Sequence, residues 1–158
     1  MDEQMSKDKK IDVLISALEE RYKATHVIRH RVQGVCLWAL GILFAAAGWL
    51  IQADISFEFE TTVIIIIFMV VAHHLLQLYF LDLEKGFKGQ QGAMTRVEKA
   101  LNLYTPGYYT EDNSSLYDPK WEKAGSAEGD GKYFSRSYAL LQLGGAALII
   151  ALLLKTCF

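Results

Sequence analysis

The chain has 158 residues, enough for one compact unit and too few for two full domains. Apolar residues make up 52% of it, above the roughly 45–50% usual for soluble domains, and they gather in three blocks, which argues against an ordinary soluble fold. A formal net charge of −2 gives no bulk attraction to nucleic acid, so no direct nucleic-acid binding is expected.

The N-terminal arm is polar, with Lys7, Lys9, Lys10, Arg21, Lys23, Arg29 and Arg31. It lacks the short apolar core and small-residue cleavage site of a secretory signal, and it is expected to stay on the mature protein. Ile11, Leu14, Leu18, Tyr22, Thr25, Ile28 and Val32 recur at three- and four-residue steps, which predicts a helix with one apolar face. Glu19 and Lys23 have i,i+4 spacing and are expected to pair. His26 and His30 share that spacing, but no HExxH motif and no third ligand accompany them, so a solvated face is expected. Nothing breaks the helix before Gly34, so residues 1–31 should run on into the first apolar block as one helix of about 40 residues, roughly 60 Å long. Its apolar stripe needs a partner.

The first block, VQGVCLWALGILFAAAGWLIQ, is predicted to span a membrane over residues 32–53, with Trp38 and Trp49 toward its ends. A short connection, QADISFEFE, leads to a second span, TTVIIIIFMVVAHHLLQLYFL, over 61–81. About twenty apolar positions rule out a lone strand there. An amphipathic helix should follow, carrying Leu83, Phe87, Met94, Val97, Leu101 and Tyr104 with Arg96, Glu98 and Lys99 between them; the N-terminal arm is its expected partner.

The rest of the 82–136 segment is rich in aromatics and turn formers. Pro106-Gly107 and Asp118-Pro119 signal turns, and Gly125, Gly129 and Gly131 suggest a flexible linker. These glycines lack the Gly-Lys-Ser/Thr ending of a phosphate loop. A third span, SYALLQLGGAALIIALLL, is predicted over 137–154, leaving a tail of 155–158. The fold class is therefore all-α: a membrane protein with three transmembrane helices and cytoplasmic amphipathic helices.

Orientation follows from the loops. Lys and Arg number seven in the arm, none in the 52–60 connection, eight in 82–136 and one in the tail. The positive-inside rule places the N-terminus and the long loop in the cytoplasm and the C-terminus outside.

Few residues carry chemistry. His73, His74 and Gln77 lie within the second span, where polar groups are costly and face a bundle interior or a cavity. One reading is a pore, gate or proton site; the other is interhelical hydrogen bonding that holds an oligomer. Adjacent histidines point about 100° apart on a helix, so both do not readily bind one metal. Tyr108, Tyr109, Tyr117 and Trp121 either anchor the loop at the headgroups or on the helical arms, or form a docking surface for a partner. Small-residue stripes at Gly41, Ala45 and Gly48, and at Gly144, Ala147 and Ala151, promote close helix packing, within the chain or between chains. Cys36 and Cys157 form neither a disulfide framework nor a zinc site and are expected to be inert. No nucleophile–base set, metal cluster or intramembrane carboxylate is evident. Neither enzymatic activity nor a cofactor is expected.

The order of parts carries a resemblance. An arm with ERYKATHVIRHRV, two spans joined by a tiny outside connection and a helix with RVEKAL resemble, over roughly residues 10–103, the SLATT class of small membrane effectors of bacterial defence. The resemblance implies an association with nucleotide-signalling operons or RADAR-type antiviral systems, and pore formation or membrane perturbation when triggered. The third span and the PGYY…SLYDPKW segment lie outside that layout, and the resemblance gives no residue a role. Two functions are thus expected as alternatives. One is an oligomeric inner-membrane effector or accessory protein of antiphage defence that forms or gates an opening on a cytoplasmic signal. The other is a non-conducting scaffold or regulator that tethers a cytoplasmic protein, such as a cytoplasmic defence protein. Membrane lipids and further copies of the chain are the partners common to both.

Overall fold

Ser6 starts the first helix: its side chain accepts from the Lys9 N–H at 3.4 Å and its carbonyl from the Lys10 N–H at 3.1 Å. From there α1 runs unbroken over Lys7–Gln52, 46 residues, so the arm and the first apolar block form one helix, as the periodicity predicts. The computed structural model describes residues 6–126 and 132–157. Helix α2 covers Phe59–Ala100 and α3 covers Tyr133–Cys157, with a 3-10 turn at Pro119–Lys123. Among the described residues there is no strand, and all three helices are long and apolar enough to cross a membrane.

Three boundaries differ from the sequence-based ones. The second apolar block and the amphipathic stretch after it form one helix, α2, which continues through Gly86, Gly89 and Gly92 although each interior glycine costs a helix about 1 kcal/mol relative to alanine. Packing of Phe87, Thr95 and Glu98, all buried, offsets that cost. The same helix stops at Ala100, short of Tyr104, because Asn102 turns left-handed at φ 57°. The Leu103 N–H then bonds to the Glu98 carbonyl and the Asn102 N–H to that of Lys99, which closes the helix in a Schellman motif. Helix α3 begins at Tyr133 and takes in Lys155–Cys157 from the expected tail.

The chain divides into two units, Met1–Arg29 with Glu84–Gly131 and His30–Leu83 with Lys132–Phe158. The first is polar. Within it the arm meets the second half of α2: Arg21 Nη1 donates to Gln90 Oε1 at 2.9 Å, the Arg29 guanidinium lies 5.4 Å from the centre of the Phe87 ring, and Tyr22 donates to Glu98. The expected Glu19–Lys23 pair is not among the ion pairs of the described residues, which include Lys88–Glu84 and Lys99–Glu122. Both side chains are exposed, where pairing gains little over water.

Gly125 corrects the picture of a flexible linker. At φ +81° its backbone lies so close to α2 that a Cβ would stand 2.5 Å from Gly92 N and 2.8 Å from Lys88 O. The preceding Ala124 carbonyl also accepts from Thr95 Oγ1 at 3.3 Å. Gly129 and Gly131 lie outside the described residues. Gly125→Ala should therefore destabilise the polar unit by about 2 kcal/mol, through strain and contact together. Gly92→Ala meets nothing within 4 Å and should stabilise the helix by up to about 1 kcal/mol. Hydrogen exchange across 84–103 separates the two.

The second unit is apolar and is built as a three-helix bundle. Contacts ascend in parallel along α1 and α3: Cys36 Sγ to the Ser137 carbonyl at 3.5 Å, Leu40 and Leu43 against Gly144, and Lys155 Nζ to the Ala53 carbonyl at 2.7 Å. Helix α2 runs against both, with Thr62 and Thr156 hydroxyls 2.6 Å apart at one end and the His73 ring beside Tyr138 farther along. A core of Ala47, Leu50, Ala151 and Leu152 closes the end near the 53–58 connection.

Candidate functional site

Small side chains open a groove between the helices of the bundle. Ala39, Ala72, Gly145 and Ala146 leave a partly open cavity of about 570 Å³, lined otherwise by apolar residues such as Met69, Ile149 and the exposed Ile42 and Phe68. Two polar side chains line it, His73 from α2 and Gln142 from α3, and no lining residue is charged. His73 Nδ1 lies 4.0 Å from the position a Gly145 Cβ would take, and its ring sits 5.7 Å from that of Tyr138, tilted by 43°. Gln142 and Gly145 are i,i+3 on α3, so the amide belongs to the same wall as the imidazole.

The three polar candidates of α2 thus part company. His73 lines the cavity, Gln77 is half-buried outside its lining, and His74 is exposed on the bundle surface. Asp82 is the first charged residue toward the polar end of α2; His74 and His73 precede it by about 12 and 14 Å of helix. The small-residue stripes part company too. Gly144 and Ala151 are buried, and a Cβ at Gly144 would lie 3.0 Å from Leu40 Cδ2 and 3.1 Å from Leu43 Cδ1. Ala147 is half-buried between them. That stripe packs α3 on α1. By contrast Gly41 and Ala45 are exposed, Gly48 is half-buried, and neither glycine would bring a Cβ within 4 Å of anything. Cys36 is buried and Cys157 exposed, both as free thiols.

The polar unit is organised around one carboxylate. Glu98, 5% exposed, accepts from the Tyr22 hydroxyl at 2.9 Å and from the Tyr104 hydroxyl. Tyr22 and Tyr117 hydroxyls stand 3.3 Å apart, and the Tyr117 ring meets those of Tyr104 and Trp121 edge-on. Burial, then hydrogen bonding to Tyr117 and Glu98, pushes the Tyr22 phenol far above its ordinary range; burial and the Glu98 bond do the same to Tyr104. The loop hangs on this cluster: the Tyr117 N–H donates to the Leu103 carbonyl at 3.0 Å and Tyr109 Oη to that of Leu101 at 2.7 Å. Asp118 caps the 3-10 turn through the Lys120 N–H at 2.9 Å. Of the four aromatics read as a docking surface, Tyr117 is half-buried in the cluster, while Tyr108, Tyr109 and Trp121 keep more than half their surface exposed.

Spacing could have identified Glu98, four residues after Met94 on the apolar face of α2 and three before Leu101. Nothing in the sequence marked Gln142 as the neighbour of His73. Among the described residues no three His, Cys, Asp or Glu side chains converge on a metal position. No protein-family model, curated protein or solved structure matches the chain.

Proposed function

We propose that the chain is a multi-pass protein of the bacterial inner membrane, with its N-terminus and polar unit in the cytoplasm, that works as a homo-oligomeric effector or accessory component of antiphage defence. A signal received by the polar unit opens or forms a passage through the membrane. The observation that carries this reading is the placing of His73 at mid-helix on a cavity wall, with His74 exposed nearby and hydrogen-bonded to no described residue. An imidazole facing lipid at that depth is costly, and neighbouring copies relieve the cost. The defence setting rests on the layout of residues 10–103.

A second reading, a non-conducting scaffold, is favoured by a different observation. The loop is pinned to the helices by the Glu98 cluster and still presents Tyr108, Tyr109 and Trp121, a surface suited to a cytoplasmic protein partner. The test is flux from liposomes carrying purified protein, alongside survival of cells under phage challenge. His73→Ala and Gln77→Ala should change permeability and protection severalfold with assembly intact, and His74→Ala should change them less. Assembly without flux in the wild type would move the function to the scaffold.

A further inference from the structure

We propose that the bundle cavity binds a neutral, carbonyl-headed hydrophobe of the bilayer, of the quinone or long-chain ketone class. Its volume of about 570 Å³ falls within the range of ligand sites. The walls select the chemistry. Apolar side chains from all three helices accept a hydrocarbon body, and the absence of any charged lining residue excludes a phosphate, ammonium or ionised carboxylate head. His73 and Gln142 supply the polar contact: a neutral imidazole carries one N–H donor and an amide carries two. Neither side chain hydrogen-bonds to another described residue, and both stand on the wall around Gly145. On the protein Gln142 is exposed and His73 half-buried, so in a bilayer both donors face hydrocarbon, where a donor without an acceptor costs about 1–3 kcal/mol that a ligand carbonyl relieves. Phospholipid chains could fill the hydrocarbon part, but at this depth they offer those donors nothing. The assignment needs neither conduction nor assembly, so it and the flux test fail separately.

Decylubiquinone binding to the full chain in phosphatidylcholine nanodiscs tests the proposal, measured as uptake beyond that of empty discs. Saturable uptake at one site per chain is expected. The near-isosteric pair His73→Phe with Gln142→Leu should weaken it about tenfold, the loss of two neutral hydrogen bonds. Gly145→Phe should block it by filling the cavity, and n-decylbenzene, which has a comparable tail and no carbonyl, should compete about tenfold more weakly than the quinone. If Gly145→Phe fails to fold, the polar pair decides. Uptake equal to that of empty discs, undiminished binding by the polar pair, or equal competition from n-decylbenzene would overturn the assignment. So would an oligomer that dissociates in Gly145→Phe while the wild type takes up no quinone, which would give the cavity to a second copy.

Discussion

Glu98→Ala should lower the stability of the polar unit by about 3 kcal/mol, read as lost hydrogen-exchange protection across residues 84–103. The carboxylate is almost fully buried and accepts from both Tyr22 and Tyr104. Its removal leaves two phenol donors without their acceptor, each costing about 1–3 kcal/mol, partly relieved because both tyrosines reach solvent. Glu98→Gln keeps one acceptor oxygen and should cost about 1 kcal/mol. The tyrosines add an alkaline signature. Their folded-state pKa values lie above the unfolded value of about 10, so the folded unit holds protons that the unfolded chain releases. That stability is complete below about pH 10 and is lost as pH rises toward the folded values. Tyr22→Phe should remove part of this slope and leave the neutral range shifted only by its lost hydrogen bond. A slope unchanged in Tyr22→Phe would show that other groups produce it.

Gly144→Leu and Gly41→Leu should fail in different ways. A Cβ at Gly144 already approaches Leu40 and Leu43 at 3.0–3.1 Å, so a full leucine forces α3 off α1 and should cost about 3 kcal/mol by overpacking. Melting in detergent would fall, whatever the protein concentration. Gly41 meets nothing within 4 Å, so its leucine should leave the melting of the single chain unchanged. If copies approach along Gly41, Ala45 and Gly48, the same substitution should shift the population from oligomer to monomer, because small residues allow close helix contact. Native mass spectrometry reads this directly. An unchanged oligomer in Gly41→Leu would free this stripe from any role in assembly.

Much of the helical framework was readable because it rests on long periodic signals. The 3.6-residue rhythm from Ile11 to Val32 and the uncharged runs around Trp38, Ile66 and Leu148 specify helices without knowledge of their neighbours. Breaks and continuations were harder. The apolar spacing runs on to Tyr104, yet α2 stops at Ala100 because Asn102 turns left-handed, while burial of Phe87 and Glu98, a tertiary effect, holds the helix through Gly86, Gly89 and Gly92. Gly125 read as slack because composition does not reveal that Gly92 lies against it. The cavity was half legible: His73 stood out as a polar residue in an apolar run, while its pairing with Gln142 depends on the register of α2 against α3, which no single segment encodes. Likewise, two similar small-residue stripes could not be told apart until Leu40 and Leu43 were seen to close on one of them.

The proposed topology has three crossings, with the polar unit inside the cell and the end of α3 outside. Paired reporters inserted after Ser126 and fused after Phe158 test it most directly, with green fluorescent protein reporting the cytoplasm and alkaline phosphatase the far side. The Ser126 insertion should fluoresce without phosphatase activity, and the Phe158 fusion should show phosphatase activity without fluorescence. The same compartment at both positions would remove one crossing and contradict this topology.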